Sequence, residues 1–186
     1  MKIAVLAVQG AFIEHEQKLK KLGASCVELR KAEDLKQSYD GLILPGGEST
    51  VQGKLLHELG MFAPLQKKIA QGLPVLATCA GMILLAEKLT NDSKVHLATM
   101  PITVKRNAYG RQLGSFRTAH TFGKLGTLPM TFIRAPYIVA VHGDAQILAS
   151  VDGNIVAAQQ NKQLVTAFHP ELDESTAIHE YFLQMQ

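Results

Sequence analysis

Residues Ile69–Ala86 read IAQGLPVLATCAGMILLA, a run without one charged side chain. Gln71, Gly72, Pro74, Thr78 and Gly81 break it too often for a membrane span, which needs about 20 predominantly apolar residues. The run divides better around Cys79, with Pro74–Thr78 as a buried strand and Gly81–Lys88 as a helix. Toward the N-terminus the same alternation recurs. Ile3–Val8 is an aliphatic strand. Ala11–Leu22 places Phe12, Leu19 and Leu22 among charges as an amphipathic helix, closed by Gly23. Ser25–Leu29 and Gly41–Leu44 are further strands. Pro45-Gly46-Gly47 ends the latter, Ser49 or Thr50 caps a helix to Leu59, and Phe62–Gln71 continues as helix. Strands alternating with helices predict an α/β fold: three-layer and doubly wound, with a mixed, mostly parallel sheet and helices on both faces.

Beyond Asn91 the texture changes. Short strands are expected at Ile102–Val104, Thr131–Ile133, Ile138–Val141, Gln146–Ser150, Ile155–Ala158 and Leu164–Ala167. Asp152-Gly153 and Asn161-Lys162 are turn signals that imply hairpins and an antiparallel portion. Glu174–Leu183 reads as a closing helix. With 186 residues and no repeat or linker, residues 1–186 are expected to form one domain.

Composition narrows the function. A net charge of +3 is too small and scattered for a nucleic-acid stripe, and the absence of Trp argues against a stacking platform. Two cysteines do not make a disulfide framework and fit a reducing compartment. The opening apolar run, Ile3–Val8, is short for a signal peptide. A cytoplasmic protein with no membrane or nucleic-acid partner is the expectation. The seven histidines and two cysteines show no short metal-like spacing, so neither metal nor cofactor is expected.

Three places can carry chemistry. Cys79, between Thr78 and Ala80-Gly81, sits at a strand-to-helix junction of small residues. A tight turn there lifts a nucleophile above the sheet, and the N–H of Ala80 faces a developing oxyanion. By itself, Cys79 reads equally well as a small buried hydrophobe. His169 and Glu171 follow a strand two positions apart, where extended backbone points side chains the same way, so the carboxylate can orient the imidazole. Taken alone, that pair is also an ordinary surface turn fixed by Pro170. PGGEST, Pro45–Thr50, offers backbone N–H groups to an anion but lacks a P-loop lysine. Cys26 lies in a plain strand and is assigned to the core.

Together these pieces resemble the class I glutamine amidotransferases, and within them the glutaminase subunits of pyridoxal 5′-phosphate synthases. GLILPGGEST (Gly41–Thr50), TCAGMILLA (Thr78–Ala86) and ITVKRNAYGRQ (Ile102–Gln112) carry the likeness. FIRAPYI (Phe132–Ile138), AFHPEL (Ala167–Leu172) and HEYFL (His179–Leu183) extend it, and it runs from Val8-Gln9-Gly10-Ala11 to the end of the chain.

The resemblance implies a flavodoxin-like glutaminase domain with a Cys79–His169–Glu171 triad that converts L-glutamine to glutamate and ammonia. It implies an oxyanion hole at Gly47 and Ala80. It also implies glutamine contacts at Gly47, Glu48, Ser49, Arg106, Ile133 and Arg134. The implied partner is a synthase subunit, a (β/α)8 barrel in a hetero-oligomer, which consumes the ammonia. Three positions depart from the family pattern: Ala77 where glycine is usual, Val51, and Pro101. A glutaminase subunit for imidazole glycerol phosphate synthesis has a similar triad, but Arg106–Gln112 disfavours it. A non-catalytic module of the same fold is disfavoured by the complete triad.

Overall fold

The computed structural model describes residues 1–108 and 114–185; Tyr109, Gly110, Arg111 and Gln112 of the Ile102–Gln112 segment lie outside the described residues. The chain opens with strand β1 (Lys2–Leu6), helix α1 (Phe12–Lys21), β2 (Ser25–Leu29) and a 3-10 turn over Ala32–Lys36. It continues with β3 (Gly41–Leu44), α2 (Ser49–Glu58), α3 (Phe62–Ala70), β4 (Val75–Thr78) and α4 (Ala80–Leu85). The second half comprises β5 (Ala86–Leu89), β6 (Met100–Lys105), β7 (Ser115–Thr121), β8 (Thr127–Ile133), β9 (Tyr137–Val141), β10 (Gln146–Val151), β11 (Asn154–Gln160) and β12 (Gln163–Thr166). A 3-10 turn over Pro170–Leu172 and α5 (Ala177–Leu183) complete it.

One sheet runs β2-β1-β3-β4-β12-β11-β9-β6-β5, with β10 joined to β11. From β2 through β12 every pairing is parallel. From β12 to β6 the pairings turn antiparallel, as the hairpin signals require. β3 and β4 are buried along their whole length, which is why their sequences are continuous apolar runs rather than alternations. The core is one cluster of aliphatics from these strands with Leu19, Leu56, Leu65, Ile69 and Phe182 of the helices. α1 meets α5 on one face, through His15 and His179, while α2 packs with α3 and α4. The chain leaves β1 for β2 on one side and returns to β3 on the other, so the sheet has a switch point, and sites in such sheets lie at the carboxyl ends of the strands.

The first-half strands lie where the pattern puts them, and several later elements differ. The helix expected over Gly81–Lys88 stops at Leu85. The N–H groups of Leu97 and Thr99 take the carbonyls of Leu84 and Leu85 (2.9 and 3.0 Å), and Ala86–Leu89 becomes a strand parallel to β6. Tertiary pairing overrides helical propensity there. The closing helix starts at Ala177, not Glu174, because Lys18 Nζ holds the carbonyls of Asp173 and Ser175 outside it. β7 was not expected, and β8 begins four residues before Thr131. The two form a separate hairpin in which Pro129 faces Ala119, a position open to proline because β8 has a neighbour on one side only.

Candidate active site

The carboxyl ends of β3, β4 and β12 converge on one place. After β4 the backbone turns at Cys79 with φ 48° and ψ −101°, a conformation that costs a non-glycine residue of order 1–3 kcal/mol and that surrounding structure must enforce. The enforcement is visible. The Cys79 N–H donates to the Thr166 carbonyl of β12 at 2.8 Å, and α4 begins at Ala80. Gly81 rests on β3 so closely that a β-carbon would lie 2.1 Å from the Leu44 carbonyl oxygen. Ala77, the residue that departs from the family pattern, is fully buried and keeps regular pairing with Leu44 and Val165.

His169 follows β12 and is held from outside the main sheet: its N–H donates to the Thr131 carbonyl of β8 at 2.8 Å. Its Nδ1 lies 2.6 Å from Glu171 Oε1. The i, i+2 spacing therefore works, but not by extended backbone. Pro170 starts a 3-10 turn, and that turn brings the Glu171 carboxylate back to the imidazole. Burial by itself would lower the His169 pKa. Interactions with Cys79 and with Glu171 outweigh it and raise the value to about 10. Burial pushes the Glu171 pKa up, but the neighbouring His15 and the hydrogen bond with His169 more than compensate and hold it below its ordinary value.

Next to these groups lies the Pro45–Glu48 loop. Gly10 approaches it so tightly that a β-carbon would stand 1.9 Å from the Gly46 carbonyl oxygen, which also accepts the Ala11 N–H at 3.1 Å. The Glu48 N–H donates to Gln9 Oε1 at 2.9 Å, and Gln52 Nε2 reaches the carbonyls of Gln9 and Pro45. Gly47 has φ 157°, and a β-carbon there would be 2.4 Å from Gln9 Oε1.

Gly47, Glu48, Ser49, Arg106, Ile133 and Arg134 all line a single cavity of about 400 Å³ with Cys79 and His169. Ala80 is buried directly behind Cys79; as the first residue of α4, its N–H has no acceptor within the helix. Arg106 is fixed before any substrate arrives. Its guanidinium bonds Asp92 Oδ2 at 2.6 Å and Thr50 Oγ1 at 3.0 Å, and the Asn91 side chain pairs with its backbone. Arg134 is exposed, with φ 42°, and among the described residues its guanidinium has no ion pair. Among the described residues the cavity thus offers a thiol, an imidazole, backbone donors and one cation without an ion pair, a set suited to cleaving an amide whose far end carries a carboxylate.

Three side chains not singled out from the sequence stand behind the site. His15, Thr78 and His179 are fully buried, with His15 Nε2 3.4 Å from Glu171 Oε2. The sequence did hold a signal: His15 lies three residues after Phe12 and four before Leu19, on the stripe that α1 buries.

A family model described as the SNO glutamine amidotransferase family matches residues 5–186. The chain is 62% identical over 183 residues to the pyridoxal 5′-phosphate synthase subunit PdxT of Desulfitobacterium hafniense (strain DSM 10664 / DCB-2), covering 98% of this chain and 92% of that protein. It is 53% identical over 188 residues to the PdxT subunit of Streptococcus pneumoniae (strain CGSP14), covering 100% and 97%. Among solved structures, a crystal structure of a glutamine amidotransferase superposes with TM-score 0.93 at 39% identity, covering 98% of this chain and 97% of the other. A glutamine amidotransferase of Thermotoga maritima shares the fold at TM-score 0.64 and 15% identity, covering 100% and 84%. With the match spanning nearly its whole length, the chain belongs to the SNO glutamine amidotransferase family.

Proposed function

We propose that this chain is the glutaminase subunit of a pyridoxal 5′-phosphate synthase, acting through Cys79, His169 and Glu171. The observation that carries the reading is that Cys79 and His169 line one cavity while Glu171 Oε1 lies 2.6 Å from His169 Nδ1.

The side-chain amide of L-glutamine enters the cavity, and the Cys79 sulfur attacks its carbonyl carbon as the thiol proton passes to His169. The negative charge that develops on the amide oxygen is met by backbone N–H groups at Gly47 and Ala80, the oxyanion hole. His169 gives that proton to the departing nitrogen, and ammonia leaves behind a γ-glutamyl thioester. The now neutral imidazole takes a proton from water. The resulting hydroxide attacks the thioester, releasing glutamate and restoring the thiol–imidazole pair. Glu171 holds the imidazole orientation through both steps. Arg134 and Arg106 receive the α-carboxylate, while Glu48, Ser49 and Ile133 complete the walls.

Ammonia that meets water is protonated and lost as a nucleophile, so the product must pass directly to a synthase partner. That partner is a (β/α)8 barrel docked at the cavity mouth. The names of the PdxT relatives, subunits of pyridoxal 5′-phosphate synthases, support a synthase partner. The chain acts as one glutaminase domain in the cytoplasm; among the described residues, no helix is long and apolar enough to cross a membrane.

The test is glutamate release from L-glutamine, measured with and without the synthase subunit. Turnover that depends on Cys79 and rises when the synthase is added supports the reading; turnover retained in Cys79→Ala overturns it.

A further inference from the structure

Glu171 uses one carboxylate oxygen for His169 and turns the other inward. Oε2 is buried and has no formed hydrogen bond among the described residues; the N–H-bearing group that faces it is His15 Nε2, 3.4 Å away. His15 Nε2 is also 3.2 Å from Thr78 Oγ1, the residue before the nucleophile. On its far side, His15 Nδ1 lies 2.9 Å from His179 Nε2. Both histidines are 0% exposed.

The tautomers of this chain are not free. A buried imidazole nitrogen without a proton, set against a carboxylate oxygen, would repel it, so His15 carries its proton on Nε2. In a neutral ring His15 Nδ1 is then an acceptor, which makes His179 Nε2 the donor between the two rings. That leaves His179 Nδ1 as a bare acceptor. This nitrogen is the one that is buried without a hydrogen-bond partner, and an unpaired acceptor is tolerated better than an unpaired N–H. Every donation in the row therefore points toward Glu171.

We infer that His15 and His179 are positioning residues for the glutaminase reaction: His179 fixes the tautomer of His15, and His15 pins the second oxygen of Glu171 so that the first stays aligned on His169. Neither touches substrate. Burial lowers the pKa of both rings, consistent with neutral imidazoles in these roles. The inference rests on the triad reading above.

Two measurements test it. In the ¹⁵N-labelled wild-type chain, imidazole NMR should show His15 and His179 as neutral Nε2–H tautomers; a His15 protonated on Nδ1 overturns the inference without any variant. In the complex with the synthase, His15→Phe should lower kcat for glutamate release by roughly tenfold, as loss of a group that orients a histidine through its partner does, with KM within about twofold. His15→Gln keeps an N–H donor near the Nε2 position and should recover most of that loss. Wild-type kcat in a folded His15→Phe, or a His15→Gln no better than His15→Phe, overturns the inference. Cys79→Ser run alongside separates the two levels, since turnover retained there refutes the triad and not the histidine pair.

Discussion

Gly46 presses its α-carbon against the imidazole of His169: a β-carbon built there would lie 2.3 Å from Cε1 and 2.9 Å from Nδ1. The first glycine of the Pro45-Gly46-Gly47 turn is thus required by the histidine that arrives from β12, 123 positions later in the chain, as much as by the turn itself. Gly46→Ala should push the ring out of line with Cys79 and Glu171. Misplacing a catalytic group by about 1 Å can cost roughly 10² in rate, so kcat should fall by about that factor while the fold survives. Steady-state glutamate release with a thermal melt checks both halves. A Gly46→Ala enzyme at wild-type rate would mean that the ring has room the structure does not show.

The backbone at Cys79 makes a separate prediction about stability. With φ at 48°, any residue with a β-carbon is strained there, and glycine is not. Cys79→Ala and Cys79→Gly should both lose glutaminase activity. The glycine variant should be the more stable of the two by about 1 kcal/mol, read from chemical denaturation. An alanine variant more stable than the glycine one would show that the turn is not strained.

Much of this site was legible in the sequence because the chemistry sits where local rules meet. Cys79 lies where a strand becomes a helix among small residues, and Gly81 is small because α4 lies on the Leu44 carbonyl. The spacing of His169 and Glu171 fitted either a carboxylate–histidine pair or a surface turn, and the structure joins them by a 3-10 turn at Pro170 rather than by extended backbone. What stayed hidden depends on contacts between distant segments. His15 and His179 are 164 positions apart, and each alone is a histidine on a buried helical stripe, which usually signifies packing. The Asp92 carboxylate that fixes Arg106, and the Asp173 carboxylate that accepts from Thr131 and Arg117, are likewise invisible to periodicity. β5 escaped because its four residues follow a helix without any turn signal, and only its pairing with β6 makes it a strand.

Stability should depend on pH from both sides. His15 is lowered chiefly by burial and further by His169, against the pull of Glu171 and Glu14; His179 is lowered by burial, His15 and Lys18. Their folded pKa values lie below the unfolded value of 6.5, so the stability gained by keeping them neutral is present above 6.5 and lost as pH falls below it. His169 behaves oppositely. Its contribution is complete below 6.5 and fades as pH rises toward about 10. Urea unfolding across pH should therefore show declines on both flanks. The acid decline below 6.5 should shrink in His179→Gln, and the alkaline decline should shrink in His169→Asn. Identical profiles in wild type and both variants would contradict these assignments.

The two arginines of the cavity should separate kinetically. Arg134 is exposed and lacks an ion pair among the described residues, whereas Arg106 is already bound to Asp92 and Thr50. A charge-assisted contact to the α-carboxylate is worth about 1.5–3 kcal/mol, so Arg134→Ala should raise KM for L-glutamine by at least tenfold with a smaller change in kcat. Asp92→Asn should leave KM closer to wild type than Arg134→Ala does. A KM unchanged in Arg134→Ala would remove that residue from substrate binding.

If Cys79 is the nucleophile of a glutamine site, an electrophilic glutamine analogue must find its sulfur before that of Cys26. A chloroketone analogue of L-glutamine should alkylate Cys79, and free L-glutamine should protect it. Cys26, half-buried in β2 with a pKa pushed up to about 11 by burial, should remain unmodified in the same peptide map. Labelling of Cys26 at the same rate, or labelling of Cys79 that L-glutamine does not slow, would contradict that role for Cys79.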